Sequence, residues 1–126
     1  MEQPTPPKVL LVGHCSADGP QITKLLEANF DAKVDHARTF DATISAVSTK
    51  SYDLIIINRL LDETGESGLD LIATIKKKDK PPTMMLVSNY PDAQEEAIKL
   101  GASPGFGKRN LNTRSTVDII RGALAS

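Results

Sequence analysis

The stretch "SYDLIIIN", residues 51–58, decides the fold. Leu54, Ile55, Ile56 and Ile57 form a short apolar run with no polar alternation, the pattern of a central parallel strand covered on both faces. The run stops at a neutral amide, Asn58. Working outward, "KVLLV" (8–12) and "TMMLV" (83–87) are runs of the same kind, "AKVDHA" (32–37) alternates and reads as an edge strand, and a weaker strand falls around 104–107. Segments of helical period separate them, around 17–29, 40–49, 68–78, 92–100 and 113–125. The series makes five βα units, which predicts an α/β doubly wound five-stranded parallel sheet.

The helical stripes agree. Ile22, Leu25 and Leu26 share a face in the first helix, Leu69, Leu71, Ile72 and Ile75 in the third, and Val117, Ile120 and Leu124 in the fifth. Gly101 is placed to end the fourth helix, Pro81-Pro82 bars the third from continuing, and Gly19-Pro20 is expected to make the start of the first irregular. "MEQPTPP" has three prolines and no apolar periodicity, so residues 1–7 are expected to be a disordered lead-in to a domain over 8–126.

With 126 residues the chain can form one core without metal or disulfide support, and its single cysteine, Cys15, has no internal partner. The 15 basic residues do not exceed the 16 acidic ones and there is no Trp, which argues against a nucleic-acid binder. No segment reads as a membrane span or signal peptide, so a cytoplasmic protein is expected. "KKKDK" (76–80) reads as a solvated helix end. "GHCSADG" has neither the dinucleotide fingerprint nor P-loop spacing, and no His or Cys spacing suits a metal.

In doubly wound sheets, ligands and chemistry gather beyond the carboxyl ends of the strands. Here those tips are Gly13, His14 and Cys15, then Asn58, then Ser88 and Asn89, then Lys108, a cation with no acid opposite it among the tips. In order and spacing, "KVLLVGH", "SYDLIIIN", "MMLVSN" and "LGASPGFGKR" resemble the CheY-like receiver domains of response regulators, from Lys8 to Leu124. The resemblance implies a flavodoxin-like (βα)5 fold with strand order 2-1-3-4-5. It puts the family's Mg²⁺-holding acid pair on Gly13 and His14, its phospho-accepting aspartate on Asn58, its hydroxyl residue on Ser88 and its lysine on Lys108. Three carboxylates are therefore absent. A phosphoryl acceptor needs a carboxylate oxygen, and Mg²⁺ needs hard anionic ligands, so neither catalysis, cofactor nor metal is expected.

Other positions depart as well. "RLLDETGESG" has no proline and runs two residues longer than the family's loop, the switch aromatic falls on Gly105 with Phe106 beside it, and Arg109 replaces a proline, so a trans Lys108-Arg109 bond is expected. The resemblance with these losses implies a pseudo-receiver acting as a phosphorylation-independent interaction module. Its expected face is Tyr90, Lys99, Phe106, Arg109 and Arg114, its partner a histidine kinase, another receiver or an output protein, with a homodimer left open. Two alternatives remain: phosphorylation at Asp62 or Glu63 in the longer loop, and a small-anion or metabolite sensor built on an unpaired Lys108 with Ser88, Asn58 and Asn89. Cys15 reads as a packing residue, and Asn58 as a hydrogen-bonding cap on the sheet.

Overall fold

The computed structural model describes residues 5–125. The elements run β1 (Lys8–Val12), α1 (Asp18–Phe30), β2 (Lys33–Ala37), α2 (Phe40–Thr49), β3 (Leu54–Asn58), α3 (Gly68–Lys76), β4 (Met84–Val87), α4 (Pro91–Lys99), β5 (Ser103–Phe106) and α5 (Arg114–Leu124). A 3₁₀ turn at Lys108–Asn110, which periodicity did not signal, joins β5 to α5. All pairings are parallel and the order is β2-β1-β3-β4-β5, as expected. Among the described residues no helix is long and apolar enough to cross a membrane.

The period of two in a strand divides the core into two layers. Val9, Leu11, Leu54, Ile56, Met85 and Val87 pack with Ile22, Leu26 and Ile120 of α1 and α5. Their alternates, Leu10, Val12, Ile55, Ile57, Met84 and Leu86, pack with Leu71, Ile72, Ile75 and Ala97 of α3 and α4. Each β3 residue is therefore buried, and apolar side chains must follow one another without alternation. The edge strand β2 has only Ala37 buried, which explains its polar alternation.

The helix ends follow local chemistry. Thr39, Ser67 and Thr113 accept from Ala42 N, Asp70 N and Thr116 N, capping α2, α3 and α5. Gly101, at φ +107°, closes α4: its N–H donates to Ile98 O and that of Ala102 to Ala97 O, the Schellman pattern. Three expectations change. α1 starts at Asp18 with Pro20 in its first turn, where a missing N–H leaves no bond broken. The buried stripe of α5 is Thr116, Ile120 and Ala123, with Val117 and Leu124 only half-buried. The expected lead-in lies partly outside the described residues, and Pro7 O already accepts from Lys33 N at 2.8 Å.

Ile56 is fully buried in the middle of the central strand. Ile56→Ala is expected to lower stability by about 2–5 kcal/mol, measured as a drop in the urea midpoint at constant slope.

Candidate functional site

Asn58 closes β3 with its side chain buried, and its Nδ2 donates to Gly13 O at 3.1 Å and to Leu60 O at 2.9 Å. The amide thus ties the tip of β1 to the loop after β3. Gly13 O also accepts from Asp62 N at 2.9 Å, which adds a second clasp between the same segments. At Gly13 the backbone has φ +71°, and a Cβ there would run into the Leu61 side chain and lie 2.8 Å from Leu61 Cα. Leu61, fully buried in the α3–α4 layer, fills the space into which a side chain at residue 13 would project.

The lengthened loop is a small hairpin. Leu60 bridges Ser67 in antiparallel fashion, Leu61 N donates to Glu66 O at 2.9 Å, and Gly65 N donates to Leu61 O at 2.7 Å. Its far end is held by Glu66, whose Oε1 accepts from Phe40 N at 2.9 Å and from Thr64 Oγ1 at 2.7 Å. These bonds, Phe40 first, hold the Glu66 carboxyl below its ordinary range. Asp62 and Glu63 occupy the exposed tip.

The expectation of an unpaired Lys108 is corrected. Its Nζ lies 3.0 Å from Asp18 Oδ2, because the first residue of α1 reaches across the strand tips to the start of the 3₁₀ turn. Burial alone would raise the Asp18 carboxyl, but its bonds to Lys108 and Cys15 and the Lys108 charge hold it below the usual carboxylate range. The anion-sensor alternative loses its premise. Cys15, half-buried, accepts from Asp18 N through Sγ at 3.3 Å and so helps to order the same helix start. His14 Nε2 donates to Ile56 O at 2.9 Å, while Nδ1 is buried without a hydrogen-bond partner. Burial drives this imidazole down from its ordinary 6.5 to about 4, against the opposing effects of Ile56 and Asp18.

Around β4 and β5 the geometry is also closed. Ser88, buried, accepts from Tyr90 N at 3.1 Å, and Asn89 Oδ1 accepts from Arg109 N at 3.1 Å. A Cβ at Gly105 would strike Leu86 O and come within 2.9 Å of Gln94 Oε1. Gln94 Nε2 donates to Leu86 O at 2.9 Å and to Ser88 O and Phe106 O at 3.3 Å, filling the irregular pairing of β4 with β5. Phe106 does not belong to the expected exposed face. It is 3% exposed and packs with Leu111 and Ile120, since the irregularity between β4 and β5 pairs it with Val87 and turns it to the α1–α5 layer. Tyr90, by contrast, is 60% exposed with the Arg59 guanidinium 4.8 Å above its ring, and Lys99, Arg109 and Arg114 are exposed. The described residues contain no cis peptide bond, so Lys108-Arg109 is trans.

The structure thus brings Gly13, His14, Asn58, Ser88 and Lys108 to one end of the sheet, and sequence reasoning missed what holds them there. Leu61 was visible only as an apolar residue in a polar loop, Asp18 as an acid at a helix start, and Gln94 as a polar residue one turn into α4.

Two expected outcomes follow from this geometry. In Asn58→Asp a buried carboxylate faces two carbonyl oxygens, so stability at neutral pH falls by about 3 kcal/mol. The folded-state pKa of that new carboxyl rises above its unfolded value of about 4, so the deficit shrinks as pH falls from the raised value toward about 4 and levels off below it, which paired urea titrations would measure. For His14 the unfolded chain binds the extra proton between its ordinary 6.5 and about 4. Stability is therefore complete above that window and is lost as pH falls through it, and in His14→Asn this part of the slope disappears from the pH profile of denaturant midpoints.

No family model matches the chain, and no curated protein matches it. Solved structures that match it over nearly its whole length include response regulators and their receiver domains. NtrX from Brucella abortus is 18% identical with a TM-score of 0.83, over 96% of this chain and 27% of that one, so the chain spans about a quarter of its length. A response regulator from Thermotoga maritima is 20% identical with a TM-score of 0.80, over 97% and 100%. A response regulator from Burkholderia pseudomallei, solved with a phosphorylated aspartic acid, calcium ion and citrate, is 20% identical with a TM-score of 0.74, over 94% and 66%. With its five parallel strands in the order 2-1-3-4-5, the chain has the fold of the CheY-like receiver domains of response regulators.

Proposed function

We propose that this chain is an atypical receiver, a pseudo-receiver that serves cytoplasmic signal transduction as a phosphorylation-independent protein-interaction module rather than as an enzyme. The observation that carries the reading is the Asn58 amide, which donates to Gly13 O and Leu60 O from the position where the resemblance puts the phospho-acceptor. An amide whose nitrogen lone pair is delocalised is a very poor nucleophile, and an aspartate there could not make either bond. The residues do not fit the Mg²⁺ that such a fold implies. Gly13 offers no side-chain ligand, the Nε2 of His14 is bonded to Ile56 O, and the space beside Gly13 holds Leu61.

The interaction reading draws on the same end of the sheet. Tyr90 with Arg59 above it, together with Leu60 at 44% exposure, is the kind of aromatic, Arg-bearing surface that anchors protein contacts. Arg109 and Arg114, at the same end, extend this surface toward a kinase, another receiver or an output protein, whereas Lys99, which ends α4, lies at the other end of the sheet.

Incubation with acetyl phosphate and Mg²⁺ followed by intact-mass analysis tests the reading, and no phosphoryl adduct is expected. An adduct mapped to Asp62 or Glu63 would instead support phosphorylation by an atypical route. Installing aspartates at 13, 14 and 58 together is expected to leave the protein unphosphorylated and less stable, because Leu61 and the positive φ oppose any side chain at residue 13.

A further inference from the structure

In a parallel sheet with helical crossovers, the starts of the strands and the carboxyl ends of the helices share one end of the molecule. Most of this chain's lysines collect there, opposite the strand tips described above. Lys8 and Lys33 are register partners at the starts of β1 and β2, and Lys50 follows α2. Lys76 and Lys77 end α3, Lys78 and Lys80 follow in the next loop, and Lys99 ends α4. Only two of the chain's lysines, Lys24 and Lys108, lie elsewhere.

The α3–α4 part of this end is the most basic. Lys76 Nζ reaches Gly101 O at 3.5 Å and Lys78 Nζ reaches Ser48 Oγ at 3.1 Å, so the two side chains are spread over neighbouring elements. The ion pairs among the described residues are Lys50–Asp35, Lys108–Asp18 and Arg121–Asp118, and none involves Lys76, Lys77, Lys78, Lys80 or Lys99. Helix-end lysines complement the helix dipole, which accounts for Lys76, Lys77 and Lys99 but not for Lys80, which lies beyond the helix with φ +53°. Beside Lys99, Ile98 is 47% exposed, a large apolar side chain left in water. In a chain of net charge −1, this is a local concentration of positive charge with one apolar contact point.

We propose that this lysine-rich end, centred on Lys77, Lys80, Ile98 and Lys99, docks an acidic segment of a partner protein that carries aliphatic residues among its carboxylates. Asp79 and Glu96 are interleaved with the lysines. They would oppose the continuous negative charge of a bilayer or a nucleic-acid backbone, whereas discrete carboxylates can pass between them. Lysine presents a point charge rather than the fork that reads bases, and the exposed aromatic Tyr90 lies at the other end of the sheet, which removes stacking. The site is independent of whether phosphorylation has been lost, since it shares no residue with the Asn58 pocket.

The test is fluorescence anisotropy with a labelled peptide of repeating Glu-Glu-Leu, against a duplex DNA oligonucleotide and phosphatidylserine vesicles. The peptide is expected to bind in a salt-sensitive manner. Binding should weaken about fivefold to tenfold in Lys77→Gln/Lys80→Gln, and should remain unchanged in the charge-matched Lys24→Gln/Arg38→Gln. Replacing Leu by Ser in the peptide should weaken binding further. Equal loss in both double variants, no detectable peptide binding, or tighter binding of DNA or vesicles than of the peptide would each overturn the proposal. A phosphoryl adduct in the acetyl phosphate assay would overturn the pseudo-receiver reading and leave this one standing.

Discussion

Two N–H bonds of one side chain govern the carboxyl end of this sheet. By donating to Gly13 O and Leu60 O, the Asn58 amide joins the tip of the first strand to the loop after the third. Each such bond contributes on the order of 1 kcal/mol net, and an acid in place of the amide would set a buried carboxylate against both carbonyl oxygens, so the geometry resists that replacement. Gly13 completes the arrangement. Its positive φ turns the carbonyl toward Asn58 and Asp62, and its missing Cβ makes room for Leu61. The neutral amide of Asn58 and the apolar plug of Leu61 are thus two aspects of one packing solution.

The same closure extends across the remaining strand tips. Asp18 neutralises Lys108 from the start of α1, and Gln94 spans the carbonyls of β4 and β5 beside a glycine that admits no side chain. Glu66 fastens the hairpin to the first turn of α2, where an anion meets free N–H groups. A tip region held by packing and fixed hydrogen bonds at this many points has little room for side-chain rearrangement. It suits a surface that is presented in one shape. At the other end of the sheet, Lys80 carries a charge that neither an ion pair among the described residues nor a helix end accounts for.

Much of the architecture was legible because the period of two and the period of 3.6 leave direct marks on a chain. The uninterrupted run Leu54–Ile57 has the pattern of a strand covered on both faces, and the polar alternation of Lys33–Ala37 that of an edge. The order and spacing of the tips likewise brought Gly13, Asn58, Ser88 and Lys108 to one end before any coordinates were known. Phe106 shows the limit of such reading. One residue of register decides which layer a strand side chain enters, and the irregular pairing of β4 with β5 puts it in the α1–α5 core instead of on the surface.

The amino-acid sequence by itself determined the five βα units, their layers and the absence of acids at residues 13, 14 and 58, since these depend on residue identity and near-neighbour spacing. Only the tertiary structure decided that Lys108 is paired, that Leu61 lies over Gly13 and that Gln94 bridges two strands. Lys108 and Asp18 are far apart in the chain and meet only because the sheet sets the first helix beside the end of its fifth strand. A contact of that kind has no local signature, because its energy is gained only after the loops on both sides have closed.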